Sequence, residues 1–302
     1  MNKFMPVAMM SLLLFAIMGC SSGASIPALP QPADEPQPQP QAQQQAEYRI
    51  VATTVALTEI MDALGVELVG IPTSYKVLPE RYDGVPEVGN PMSPDMEKIV
   101  SLKATDVLSV TTLEYDLAPK FDSAGVEATF VNLESLPNMQ DAIMQLGQKF
   151  GQEERAKDIV AQLEEKKTEI AQKIEGKESP TVLILMGVPG SYLVATENSY
   201  IGNLVKLAGG TNIVQGEKVE YLASNTEYLQ QANPDIILRA AHGMPEEVVK
   251  MFDEEFKTND IWKHFKAVKQ NRVYDLEERL FGTTGNLAAL EALDEVVKML
   301  YP

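Results

Sequence analysis

Two side chains in this sequence could offer a donor atom to a metal from a fixed position, His242 and Met92. His242 directly follows the apolar run 236–241 and precedes Gly243, Met244 and Pro245, so it falls where a strand ends and a turn leads into a helix. Ligands of open α/β sheets collect at the carboxyl ends of strands. Met92 lies in Gly89-Asn90-Pro91-Met92-Ser93-Pro94-Asp95, where two prolines restrict the backbone and Ser93 or Asp95 can cap the helix that follows. An imidazole nitrogen and a thioether sulfur are together an axial pair for haem iron, and a cleft could supply one from each wall. Each residue has a plainer reading as well: a strand-end histidine held by hydrogen bonds, and a methionine that packs. Type and position alone leave both open.

Other chemistry is scarce. The second histidine, His264, stands between Lys263 and Phe265-Lys266 and reads as a surface residue. With two histidines and one cysteine in 302 residues, a multi-histidine or cysteine-based zinc site has too few ligands. No G-x-S-x-G, P-loop or HExxH motif is present, and Gly209-Gly210 reads as a helix cap. The chain therefore reads as a binding protein and not an enzyme; a surface hydrolase on a similar fold is the contrasting class. Lys and Arg total 25 against 43 acids, a net charge of −18, which argues against nucleic acid and against electrostatic adhesion to anionic lipid.

The elements that must position these residues alternate. Short apolar or β-branched runs at 48–54, 67–72, 107–110 and 128–133 predict strands, with helices at 55–64 and 96–102 between them. Residues 152–175 form one long helical pattern, with Ala156, Ile159, Val160, Leu163, Ile170 and Ile174 as its stripe, Lys167 interrupting it, and Glu153–Lys157 and Glu169–Lys173 as i,i+4 pairs. A second series follows, with strands at 181–186, 191–196, 235–240 and 272–276 and a closing amphipathic helix at 286–300. The expected fold is α/β: two lobes, each with a mostly parallel sheet flanked by helices, joined by one long helix. The halves also echo each other. Glu97 leads a helix into the strand after Thr105-Asp106, and Glu227 leads one into the strand after Pro234-Asp235.

The N-terminus adds an address. Lys3, an uncharged run over 7–18 and Gly19-Cys20 describe a secretory signal, because roughly 20 apolar residues are needed to span a bilayer as a helix. The site resembles a bacterial lipobox, with Met18 in place of the usual small residue, which implies cleavage before Cys20 and a diacylglycerol on its sulfur. Residues 20–46, rich in Pro and Gln, read as an extended spacer. The expected organisation is a signal at 1–19, the anchored spacer at 20–46, a first lobe at 47–151, a connecting helix at 152–178 and a second lobe at 179–302. The expected location is the outer face of a Gram-positive membrane.

From about residue 48 to the end, the chain resembles the helical-backbone solute-binding proteins of ABC importers, and among them the haem-binding lipoproteins of the iron-regulated surface determinant system. The resemblance is carried by Gly89-Asn90-Pro91-Met92-Ser93-Pro94, by the run 182–196 from Val182-Leu183-Ile184 to Val194-Ala195-Thr196, by Ala241-His242-Gly243-Met244-Pro245-Glu246-Glu247, and by the stretch 259–269 around Ile261-Trp262-Lys263-His264. It implies haem as transported ligand, iron held by Met92 of the first lobe and His242 of the second, and docking onto a permease and its ATPase through Glu97 and Glu227. Cell-wall haem-relay proteins are implied as donors, and the protein as a monomer. Thr53, Ser74 and Tyr75 fall where loops should meet the cleft and are candidate pocket residues. A ferric siderophore or cobalamin is the alternative cargo within the same family; the former would call for arginines facing an anionic complex.

Overall fold

A computed structural model describes residues 48–224, Leu229 and 231–302. The first half holds a three-stranded parallel sheet in the order β1 (Ile50–Ala52), β4 (Asp106–Val110), β5 (Ala128–Val131). Strand β1 and the central β4 are short and mostly buried, while the edge strand β5 is partly exposed. Helix α1 (Val55–Leu64) starts where Thr54 caps it, accepting from the Leu57 amide, and stops at Gly65, whose positive φ of 71° lets its N–H return to Met61 and Asp62. Residues 67–72 do not become a full strand. Val69 donates to Ile50 and Ala52 to Gly70, but the pairing is confined to single bridges, and Pro72 has no N–H to continue it.

The strand-like pieces β2 (Gly89–Asn90) and β3 (Ser93–Pro94) form a hairpin that feeds α2 (Met96–Ser101), capped by Asp95. Helices α3 (Glu114–Ser123) and α4 (Leu136–Lys149) complete the half.

Helix α5 (Glu153–Ile174) is the long connector, 22 residues or about 33 Å. Ala156, Leu163 and Ile170 are its buried positions, while Lys167 pairs with Glu164 at the surface. Lys166 and Lys173 bind Asp294 of the closing helix at 2.6 and 3.3 Å. The expected Glu169–Lys173 pair forms at 2.6 Å; Lys157 instead takes Glu154, one residue closer than the expected Glu153.

The second half carries a six-stranded sheet, in the order β11-β10-β6-β7-β9 with β8 beside β6. Its members are β6 (Thr181–Val188), β7 (Ser191–Ala195), β8 (Thr211–Asn212), β9 (Tyr221–Ala223), β10 (Ile236–Ala241) and β11 (Val273–Leu276). Strands β8, β10 and β11 lie in the parallel part with β6, whereas β7 alone runs the other way and pairs antiparallel with both β6 and β9. Only Pro189 and Gly190 join β6 to β7, and a two-residue link permits a hairpin but no crossover. Helices α6 (Tyr200–Leu207), α7 (Pro245–Thr258), α8 (Lys266–Lys269) and α9 (Ala289–Leu300) surround the sheet. One apolar cluster runs through both halves, from Leu57 and Ile143 through Leu163 to Ile184, Phe281 and Leu293, so the lobes share packed side chains beneath the connector.

Candidate functional site

Strand β10 is buried along all six residues and delivers His242 at its carboxyl end. The His242 amide donates to Gly187 of β6 at 2.9 Å, which fixes where the strand stops. Gly243 and Met244 then take positive φ values of 69° and 49° and turn the chain into α7, with Pro245 at its first position. For Met244 this left-handed backbone is sparsely populated, the kind of strain a scaffold keeps at a binding loop. The imidazole is exposed at the surface yet recessed among protein atoms. Partial burial lowers its pKa, Lys76 lowers it further, and Glu278 opposes both. The net shift is downward and favours the neutral ring, which has a nitrogen lone pair to give.

Glu278 organises this loop. It lies beyond β11, is only 8% exposed, and its Oε1 accepts from the Gly243 amide at 3.1 Å. The same oxygen accepts from the Tyr75 hydroxyl, which comes from the first half of the chain. Ser74 accepts from the Lys76 amide at 2.9 Å and shapes the loop that carries Tyr75 and Lys76. Tyr75 itself is 69% exposed.

Met92 occupies the tip of the β2–β3 hairpin, where its amide donates to Asn90 Oδ1 at 2.9 Å. Its side chain is 64% exposed. Burying a methionine side chain is worth roughly 1.5–3 kcal/mol, so the exposure forgoes stability unless a ligand covers it.

The structure therefore brings His242, Tyr75 and Lys76 into one neighbourhood around Glu278. Thr53 stands apart: it is fully buried and its hydroxyl donates to the Leu108 carbonyl at 3.0 Å, leaving no donor for a ligand. That hydroxyl closes the end of β1 against β4, a task no reading of local sequence separates from lining a cleft. Glu97 is exposed in the first turn of α2. Glu227 and Cys20 lie outside the described residues. His264 is exposed, as its flanking lysines suggest. Glu278 and Lys76 were not legible. In sequence, Glu278 sits in the charged run Glu277-Glu278-Arg279, and only its place just after a strand hinted at the cleft.

Among the described residues, no group of three or more His, Cys, Asp or Glu could hold a metal ion, and no helix is long and apolar enough to cross a membrane. A lone imidazole with a thioether suits a metal that arrives already bound in a macrocycle, and does not suit a free ion. A concavity of about 700 Å³ beside β7 and α7, lined by Tyr192, Leu193, Met251 and Glu255, offers no imidazole and includes none of the candidate residues.

A bilobal α/β scaffold with one candidate ligand at the carboxyl end of a strand and another on a hairpin tip belongs to a known class of carriers. Residues 50–280 match the periplasmic binding protein family, and the chain belongs to it. The "High-affinity heme uptake system protein IsdE" of Staphylococcus aureus is 53% identical over 256 residues, covering 84% of this chain and 88% of that protein. The crystal structure of S. aureus IsdE complexed with heme superposes with a TM-score of 0.83 at 52% identity, over 85% of this chain and all of that one. An ABC transporter substrate-binding protein from Listeria monocytogenes EGD-e matches at 0.81 and 62%, over 85% of this chain and 99% of its own.

Proposed function

We propose that this protein is the extracytoplasmic substrate-binding component of an ABC importer and that its cargo is haem. The observation that carries the reading is the pair of donors on opposite halves of the scaffold. An exposed methionine caps a hairpin in one, and a histidine follows the end of a buried strand in the other. Met92 and His242 are read as the two axial ligands of the iron. Lys76, the cation that acts on His242, suits a haem propionate, with Ser74 and Tyr75 at the rim. The porphyrin faces need apolar walls, and burial of that surface supplies most of the binding free energy.

The arginines argue against an anionic siderophore. Arg49 binds the Leu102 carbonyl, Arg81 binds Asp62 and Glu67, and Arg239 binds Asp275 and Asp253. Arg272 binds the Leu300 carbonyl, Arg279 binds Glu291, and Arg155 lies against Gly65. None is left facing His242.

Delivery follows from the remaining expectations. Cys20 would carry the lipid, residues 20–46 would span to the folded body, and Glu97 and Glu227 would meet basic residues of the permease, one from each lobe. This is a carrier's equipment, with no step of covalent chemistry. The test is a titration of the purified protein with haem, followed by absorbance and by the fluorescence of Trp262, the sole tryptophan, buried in the second half. The expected result is saturation at one haem per chain with quenching. Saturation by a ferric siderophore or cobalamin, with haem ignored, overturns the cargo assignment.

A further inference from the structure

A buried carboxylate near an iron ligand needs a reason. Glu277 pairs with Arg279 at the surface, whereas Glu278 turns inward and accepts from two uncharged donors, the Gly243 amide and the Tyr75 hydroxyl. Those donors come from different places. Gly243 is the residue after His242 and belongs to the strand-end loop of the second half. Tyr75 belongs to a loop of the first half, on the opposite side of the connector in sequence. Both bonds end on the same oxygen, so a shift of either loop is felt by the other.

Resting on the haem reading above, we propose that Glu278 is a positioning residue for the iron ligand. By joining Tyr75 of one lobe to the backbone beside His242 of the other, it couples closure of the cleft to the placement of the imidazole, and it lays a negative charge beside that ring.

Two consequences separate this role from simple packing. First, an anion next to a ligating imidazole makes the ring a stronger donor and favours the ferric over the ferrous iron, because the ferric complex carries one more positive charge. Removing the charge at constant shape should therefore raise the reduction potential of bound haem. Second, the Tyr75 bond is one of the restraints that opening must break. Its loss should speed haem release without changing which atoms bind iron.

The experiment uses the whole protein loaded with haem, with Glu278→Gln and Tyr75→Phe as variants. Glutamine keeps the volume and an acceptor oxygen, so it guards against simple unfolding, which thermal melts of both variants check. Wild type and variants are compared in Soret and visible bands, in midpoint potential by spectroelectrochemistry, and in the rate of haem transfer to apomyoglobin. Glu278→Gln should keep the wild-type pattern of bands and shift the potential positive. Tyr75→Phe should keep the bands and transfer haem about three- to ten-fold faster, the size of one partly exposed hydrogen bond to a carboxylate. If Glu278→Gln does not fold, Tyr75→Phe alone decides, and a wild-type release rate there overturns the coupling. Normal haem uptake with wild-type potential and wild-type release in both variants overturns this inference and leaves the haem reading standing. Failure of the wild type to take up haem removes both.

Discussion

Arg239 gives the sharpest test of how the scaffold holds His242, three residues further along the chain and just past the end of β10. The guanidinium is 7% exposed in the middle of β10. Two of its nitrogens grip Asp275 of β11 at 2.7 and 2.6 Å, and one of them also reaches Asp253 of α7 at 2.9 Å. It also lies over the rings of Phe252 and Phe256, at 5.5 and 5.2 Å from their centroids. Arg239→Ala removes the packing and the ion pairs together. Losing one partner of a fully buried pair costs about 3–5 kcal/mol, but Asp275 and Asp253 keep 39% and 65% of their side-chain surface and can turn to water. The expected loss is therefore about 2–3 kcal/mol, which lowers Tm by roughly 5–10 °C for a body of this size. Arg239→Met restores apolar contact with the two phenylalanines and should cost only about 1 kcal/mol. Urea unfolding followed by Trp262 fluorescence measures both. Equal losses in the two variants would refute the claim that packing over the rings carries most of the contribution, and a loss below 0.5 kcal/mol in Arg239→Ala would refute the pairing itself.

Cys20→Ala should release the protein from the membrane fraction or leave the precursor uncut, and membrane retention with normal processing would count against the anchor. Charge reversal at Glu97 and Glu227 together should abolish haem uptake by cells while the purified variant binds haem with wild-type affinity; normal uptake would make both acids surface decoration. Glu220, just before β9, is pushed up to about 7 by burial first and by the Glu134 charge second. A carboxyl raised above its ordinary 4.5 contributes stability below that pH and loses it as pH climbs to about 7. Glu220→Gln should therefore gain stability relative to the wild type between pH 4.5 and 7 and keep that gain above it, as read by denaturation midpoints across the range; a constant difference would refute the burial argument.

Much of the fold was legible because its signals are local. The run 181–186 is apolar without a break, as a strand buried on both faces must be, and β6 covers it. Helix α1 spans the expected 55–64, because Thr54 and Gly65 punctuate it at both ends. The stripe of α5 could be counted off in threes and fours, and Lys167 sits at the gap it predicted. Helix α3 was less visible, since Pro119 interrupts it, whereas α4 and α6 do carry apolar stripes, Met139-Ile143-Leu146 and Ile201-Leu204-Val205, which a search for strands passes over. The place of His242, after a strand and before a glycine turn, was legible and is what the structure has. The turn that carries Met92 was legible from the prolines on either side of it. Thr53 follows β1 as expected, and its hydroxyl serves a neighbouring strand 55 residues away in sequence, a partner no local pattern reveals. Glu278 and Lys76 act through contacts between distant segments, and no pattern within either segment encodes them.

The central claim is that Met92 and His242 hold one haem iron between the lobes. The direct measurement is the absorption spectrum of haem-loaded wild type beside Met92→Ala and His242→Ala, each followed by transfer to apomyoglobin. Imidazole binds iron in both oxidation states, whereas thioether favours the reduced metal and raises the potential. Both variants should show displaced Soret and visible bands, and His242→Ala should lose haem faster than Met92→Ala. Three identical spectra would take these residues out of the iron site.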